Sequence, residues 1–386
     1  MNKLKKVVWL LLLAALFAGC AADVVQTQDP LAQWLETANI EKAETAEELY
    51  AAALNEDMLV IYSTSTRILD VARSFETQYP GLRVRVEHLR EGELYDTLLS
   101  NYADGVFVCD LILSPDGRGI MANEFLPKNI AVKYVPHDIR DKLLPGNDND
   151  KLMFTGEASV FSYNQAYYSE PPFENIWELT DEKWRGMVYM PNPSRSITPL
   201  ALFTMFIKHS DEMERAFEDL YGYRLDLAHG ENAGREFVRR LMNNDAVIVN
   251  SSDEVMDIVG APGSFSPYIG IIVSSKTRLR EIGYQMANHY EAKPFCGVYT
   301  PNSIMIAGGS PNINSAKLFI RWLLGETDGQ GEGYEPYLLS GAWSVRSDVP
   351  DETGLRSSDL NLLPLDNAFM YENHEAFLSF FEELLS

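Results

Sequence analysis

Cysteine and histidine are scarce, three and six among 386 residues. No CxxC pair and no Cys/His cluster with ligand spacing occurs, which speaks against a structural zinc site. Basic residues are outnumbered as well: 32 Lys and Arg against 56 Asp and Glu leave a net charge of −24. Beyond the first six residues no Lys/Arg-rich run exists, so the surface is not built to release counterions from nucleic acid. There is no GxxxxGK[ST] for nucleotide phosphates, no GxSxG nucleophile elbow and no assignable Ser, His and Asp set. Nothing in these patterns speaks positively for an enzyme or for a cofactor. What is present is the composition of a folded protein, 46% hydrophobic and 23% charged. Its length exceeds the ~250 to 300 residues at which one core stops growing, so two lobes are expected.

The N-terminus is a different kind of segment. Lys3, Lys5 and Lys6 precede an uncharged apolar run from Val7 to Ala18, followed by Gly19 and Cys20. Such a run is too short for a permanent span of a ~30 Å hydrocarbon core and reads as a secretory signal over residues 1–19. "LFAGC" is similar to the lipobox of bacterial lipoproteins, whose cysteine is acylated, although Phe17 departs from the usual small aliphatic residue; the other reading is an ordinary signal peptide with an incidental cysteine. Residues 20–42 carry no sustained period and include Pro30. They read as a lipidated start and flexible tether, about 20 residues reaching ~25 Å on average. Cys109 and Cys296, both inside apolar runs, read as buried thiols in preference to a disulfide.

From residue 43 the pattern changes. Ala46, Leu49, Tyr50, Ala53 and Leu54 keep one helical face, Met58 to Tyr62 form a short buried-strand run, and Ile68, Val71, Ala72, Phe75 and Tyr79 are helical again. Leu82, Val84 and Val86 alternate as a strand, Leu94 to Tyr102 are helical, and Val106 to Leu113 read as a continuous apolar strand. Strand and helix in alternation predict an α/β fold with mainly parallel sheets flanked by helices. "ASVFSYN" (158–164), "AVIVN" (246–250) and "IGIIV" (269–273) supply strands of a second lobe, and "SIMIA" (303–307) resumes the style of the first.

Binding in open α/β sheets collects where strands hand over to helices. Three hand-overs share a composition: "YSTSTR" (62–67), "NPSRSITP" (192–199) and "VNSSDEV" (249–255). Hydroxyls and free N–H groups at a helix start can hold an anion. Ser and Thr are also the ordinary N-cap residues, and Ser251 with Glu254 has capping-box spacing, so any one loop alone reads as a satisfied cap. It is their joint occurrence, with Arg195 inside one and Arg67 beside another, that points to a site. "DGRGIMA" (116–122), a GxGxxA pattern in the third strand position, reads as a tight turn opening a helix.

The strings "AEELYAAALNEDMLVIYSTST", "VCDLILSPDG", "FSYNQ", "IWELTDEKWRGMVYMPNPSRS", "KPFCGVYTPNSIMIAGGSPNINSAKLFIRWLLG" and "SGAWSVRSDV" resemble successive landmarks of the substrate-binding proteins of bacterial ABC importers. The branch they most resemble includes ferric-iron, phosphonate and sugar-phosphate binders. The resemblance implies a type II, two-lobed periplasmic-binding-protein fold joined by a two-strand hinge. The first lobe would comprise 43–157 and 295–386, the second 158–294. It implies a monomer that delivers a small-molecule ligand to an ABC permease from an extracytoplasmic position in the cell envelope, touching the membrane only through lipid at Cys20. The candidate ligand-binding set is Ser63, Ser65 and Thr66, Asp116, Tyr163, Arg195 and Ser196, and Ser251 and Ser252. Ferric binders of the branch place a histidine or similar ligand in the first loop and adjacent tyrosines in the third. This chain has Thr66 and Asn250-Ser251-Ser252 there, poor ligands for a hard trivalent cation. The departures favour an anionic phosphonate or organophosphate over iron. A lipoprotein sensor docking on a membrane receptor is the alternative from another class, and an extracytoplasmic hydrolase a third.

Overall fold

The computed structural model describes residues 30–227, 231–352 and 354–386. Its first part runs α1 (Pro30–Thr37), α2 (Ala46–Ala53), β1 (Leu59–Ser63), α3 (Ile68–Gln78), β2 (Val84–His88), α4 (Glu91–Ala103) and β3 (Leu111–Ser114). With β4 (Ala131–Val132), β5 (Leu152–Thr155) and, much later, β12 (Asn302–Ala307), these strands form a sheet in the order β2-β1-β3-β12-β4, β5 also pairing with β12. The "LVIYS" of β1 is buried at every position because both sheet faces are covered. Leu59 and Ile61 point to the core that holds Phe75 and Phe319, whereas Val60 and Tyr62 point to the opposite one with Leu94, Tyr95 and Leu98.

The second sheet has β6 (Ala158–Asn164), β7 (Val188–Pro191), β8 (Val247–Val249), β9 (Ile269–Val273), β10 (Met286–Asn288), β11 (Gly297–Tyr299) and β13 (Leu362–Pro364), in the order β13-β11-β6-β9-β7-β8 with β10 also on β6. On one face α5 (Ile197–Lys208), α6 (Ser210–Tyr221), α7 (Ala233–Asn243) and, from further along the chain, a terminal helix at Asn367–Leu385 enclose Trp177. Helix α5 buries nine residues and is apolar nearly all round, as a helix enclosed by others must be. On the other face lies α8 (Ser252–Gly260), packed on Ile272 and Met286. Helix α9 (Ile313–Leu323) returns to the first lobe, and the terminal helix is α10. Three crossings join the lobes, from β5 to β6, from β11 to β12 and from α9 back to β13, one more than the expected two-strand hinge. The first two run side by side, with Thr300 N–H donating to the Glu157 carbonyl at 2.7 Å.

The two-lobed α/β architecture expected from the sequence is present, and the structure refines it in three places. The sheets are mixed rather than mainly parallel: β1–β2, β1–β3, β7–β8, β7–β9 and β11–β13 pair in parallel, while β12 and β6 are antiparallel to β3 and β9. Those two strands carry the chain through the hinge and so run against their neighbours. The 295–386 segment does not stay in the first lobe, because β11 and β13 belong to the second sheet and Phe377, Phe380 and Phe381 of α10 to its core. Residues 30–42 are not a free tether either. Leu31 and Ala38 are buried, Trp34 Nε1 donates to the Ser310 carbonyl at 2.9 Å, and Lys317 Nζ to that of Asn39 at 2.8 Å. One helical turn of contacts is too short to show as periodicity. The signal segment and Cys20 lie outside the described residues. Cys109 and Cys296 are free and buried, as expected, and burial pushes the Cys296 thiol up to about 12.

Candidate functional site

A cavity of about 350 Å³ opens between the lobes at the helix-starting ends of β1, β7 and β9. From the first lobe, Ser65 and Thr66 line it just before α3. The fully buried Ser63 shapes this turn, its Oγ accepting from Ser65 N–H at 3.0 Å and donating back to the Ser65 carbonyl at 3.1 Å. Ser65 accepts from the Tyr337 hydroxyl at 3.3 Å, and the Arg67 guanidinium lies 4.4 Å from the centre of the same ring. From the second lobe, Asn192 closes the loop after β7 by accepting the N–H groups of Arg195 and Ser196, both at 3.0 Å. Ser196 caps α5 and accepts from Thr198 N–H at 3.4 Å. Arg195 projects into the cavity, exposed and with no side-chain partner among the described residues.

The short 3₁₀ run Ser274–Ile282 after β9 brings in Ser275, Lys276 and Arg278. Lys276 pairs with Asp253 in the first turn of α8, while Arg278 donates to the Ser275 carbonyl at 2.8 Å. Arg278 is held below the usual guanidinium range, first by burial and then by the neighbouring Arg67 charge. Arg67 itself pairs with Glu157 at the hinge. Burial raises the Glu157 carboxyl, but Arg67, Ser275 and Asn302 together hold it below the ordinary range. Glu91 goes the other way: burial and then the Asp116 charge push it up, although Gly117 N–H at 2.7 Å and the Ser114 hydroxyl at 2.8 Å donate to it. The lining thus carries Arg67, Arg90, Arg195, Lys276 and Arg278 against Glu91, Glu157 and Asp253, two positive charges in excess within a chain of net charge −24.

Of the residues expected from the sequence, Ser65, Thr66, Arg195 and Ser196 come together in this cavity. Five do not. Ser63 is consumed in its own turn. Asp116, fully buried with φ of 54°, anchors the turn after β3 by accepting from Met121 N–H at 2.8 Å, Ala122 N–H at 3.1 Å and Lys151 Nζ at 2.7 Å. Tyr163 faces the second-lobe core, its ring 6.4 Å from those of Tyr168 and His289. Ser251 caps α8, accepting from Glu254 N–H at 3.2 Å, and Ser252 is the first residue of that helix; their loop contributes Asp253 instead. Sequence reasoning missed Lys276 and Arg278. The signal was there: "VSSKTR" follows the strand "IGIIV" as "YSTSTR" follows β1. Glu157, Thr300 and Asn302 had no local signal, since the hinge alone brings them together.

No protein-family model matches the chain, and no curated protein does. Among solved structures it is similar to iron-bound HitA from Pseudomonas aeruginosa, with a TM-score of 0.65, 17% identity, and coverage of 85% of this chain and 99% of that one. It is similar to the periplasmic binding protein P5PA, with a TM-score of 0.65, 15% identity, and coverage of 86% and 100%. It is similar also to the periplasmic binding protein AfuA from Actinobacillus pleuropneumoniae with fructose-6-phosphate bound, with a TM-score of 0.60, 16% identity, and coverage of 83% and 96%. The chain has the fold of the two-lobed periplasmic binding proteins.

Proposed function

We propose that the protein is an extracytoplasmic solute-binding lipoprotein that captures a small anionic ligand, of the phosphonate or organophosphate class, between its lobes and delivers it to an ABC importer. The observation that carries this reading is the positive excess of the cavity inside a strongly acidic chain. A doubly charged phosphoryl group would neutralise it, and the lining hydroxyls of Ser65, Thr66 and Ser196 just before α3 and α5 can donate charge-assisted hydrogen bonds to it. The volume suits a small polar molecule. A ferric ion would meet the same excess as repulsion, and no tyrosine is among the cavity's lining residues. Activity here means capture and release without turnover.

The test is native mass spectrometry of protein purified without chelator, followed by calorimetry with methylphosphonate, fructose 6-phosphate and inorganic phosphate. At least one anion should bind, and ferric citrate should give no phenolate-to-iron absorption band. A stoichiometric coloured complex would restore the iron reading. Arg195→Ala should weaken the bound anion by roughly 10- to 150-fold, the equivalent of a lost hydrogen bond to a charged group at about 1.5 to 3 kcal/mol. Native affinity in that variant would remove Arg195 from the site.

Lipid attachment at Cys20 belongs to the same proposal. With α1 seated on the first lobe, about ten residues separate Cys20 from the folded body, a maximum reach of ~35 Å. Cys20→Ala should release the protein from the membrane fraction or stall its maturation, because the acyl chains supply most of the membrane affinity. Normal maturation with unchanged membrane association would refute the anchor.

A further inference from the structure

Glu157 stands where two of the three crossings between the lobes, β5 to β6 and β11 to β12, meet. Its carbonyl accepts from Thr300 N–H in the other crossing at 2.7 Å, and its nearly buried carboxylate accepts from Arg67 of the first lobe and from Asn302 Nδ2 at 2.7 Å. The Ser275 hydroxyl of the second lobe faces the same carboxylate. Arg67 is fully engaged: it pairs with Glu157, stacks on Tyr337 and donates to the Pro336 carbonyl at 3.4 Å. Arg278 lines the same cavity from the second lobe, within electrostatic reach of both Arg67 and Glu157, yet its one hydrogen-bond partner among the described residues is the Ser275 carbonyl. Two guanidinium groups from opposite lobes therefore share one internal carboxylate, and only one of them is paired with it. A half-buried cation left in that position is destabilising until an anion reaches it.

We propose that Glu157 is the resident counter-ion of the cleft: it holds the charge of Arg67 at the hinge and leaves Arg278 to the ligand, so that removing the Glu157 charge tightens anion binding while removing Arg278 weakens it. The proposal rests on the anion-binding reading above and deepens it. With Arg67 neutralised, the second lobe presents two lining arginines without an ion-pair partner among the described residues, Arg195 and Arg278, against the first lobe's one, the exposed Arg90, so the ligand's anionic group docks mainly on the second lobe. The first-lobe hydroxyls of Ser65 and Thr66 then meet it as the lobes close. Glu157 is a positioning residue for this charge balance and does not touch the ligand.

The experiment is calorimetric titration of the full chain with inorganic phosphate and with fructose 6-phosphate, in wild type, Glu157→Gln, Arg278→Gln and the double variant Arg67→Gln/Glu157→Gln. Glu157→Gln should tighten binding roughly tenfold and Arg278→Gln should weaken it tenfold or more, as expected for a unit charge close to an anion in a partly desolvated site. The double variant should stay within about threefold of wild type, because the two charges it removes cancel. Should Glu157→Gln not fold, with Arg67 left unpaired, the double variant carries the test; a loss beyond about tenfold there means that Arg67 itself holds the ligand and overturns the proposal. So does a folded Glu157→Gln that binds no tighter than wild type, or an Arg278→Gln that binds as wild type does. Wild type that takes neither anion nor methylphosphonate removes the functional reading, and this inference with it.

Discussion

Replacing Lys151 by methionine is expected to lower folding stability by about 3 to 5 kcal/mol. The Lys151 ammonium is almost buried beside the fully buried Asp116 carboxylate at 2.7 Å, and it also reaches Asn367 Oδ1 at 3.0 Å, where α10 begins. Asp116 keeps its neutral partners in the variant, Met121 N–H, Ala122 N–H and the Tyr95 hydroxyl at 3.2 Å. It loses its one ion-pair partner among the described residues, with the Glu91 carboxylate close enough to interact with it. Breaking a buried pair from one side costs more than the pair contributes, because the remaining charge has nowhere to go. The measurement is the urea midpoint at unchanged slope, set beside the double variant Lys151→Met/Asp116→Leu, which should recover much of the loss. A single variant as stable as wild type would show that the site admits water freely.

Trp177→Ala should cost a similar ~3 to 5 kcal/mol by a different route. The indole is fully buried, donates to the Met213 carbonyl at 2.9 Å, and takes the Phe217 and Phe237 rings edge-on at 5.0 and 5.3 Å. Truncation leaves a large cavity at the centre of the second-lobe core and an orphaned carbonyl beside it. Because the damage is confined to that lobe, two-state behaviour should fail, and far-ultraviolet dichroism and aromatic fluorescence should give separate unfolding transitions. Coincident transitions at the wild-type midpoint would mean that neighbouring side chains refill the space.

Much of the fold is legible along the chain because its signals are local. β6 is "ASVFSYN" and β9 is "IGIIV", with the bounds that the apolar runs suggest, and α3 begins at Ile68 where the helical period begins. An apolar face must be buried, and its spacing says whether strand or helix buries it. The spacing does not say against what. The phenylalanines of α10 could serve either lobe, and Trp34 reads as part of a tether until Ser310 is seen to accept its N–H.

The same division runs through the site. The sequence by itself determined the α/β alternation, the hydroxyl-rich turns at helix starts and the presence of Arg195 in one of them, because strand ends and caps are written in neighbouring residues. Only the tertiary structure decided which hydroxyls face a ligand. Ser63 and Ser251 spend theirs on Ser65 and Glu254, while Ser65 and Thr66 line the cavity. It alone brought Arg67, Glu157, Asn302 and Arg278 into one electrostatic group across the hinge. Charges distant in sequence interact through space, and their balance appears only once the two lobes have placed them side by side.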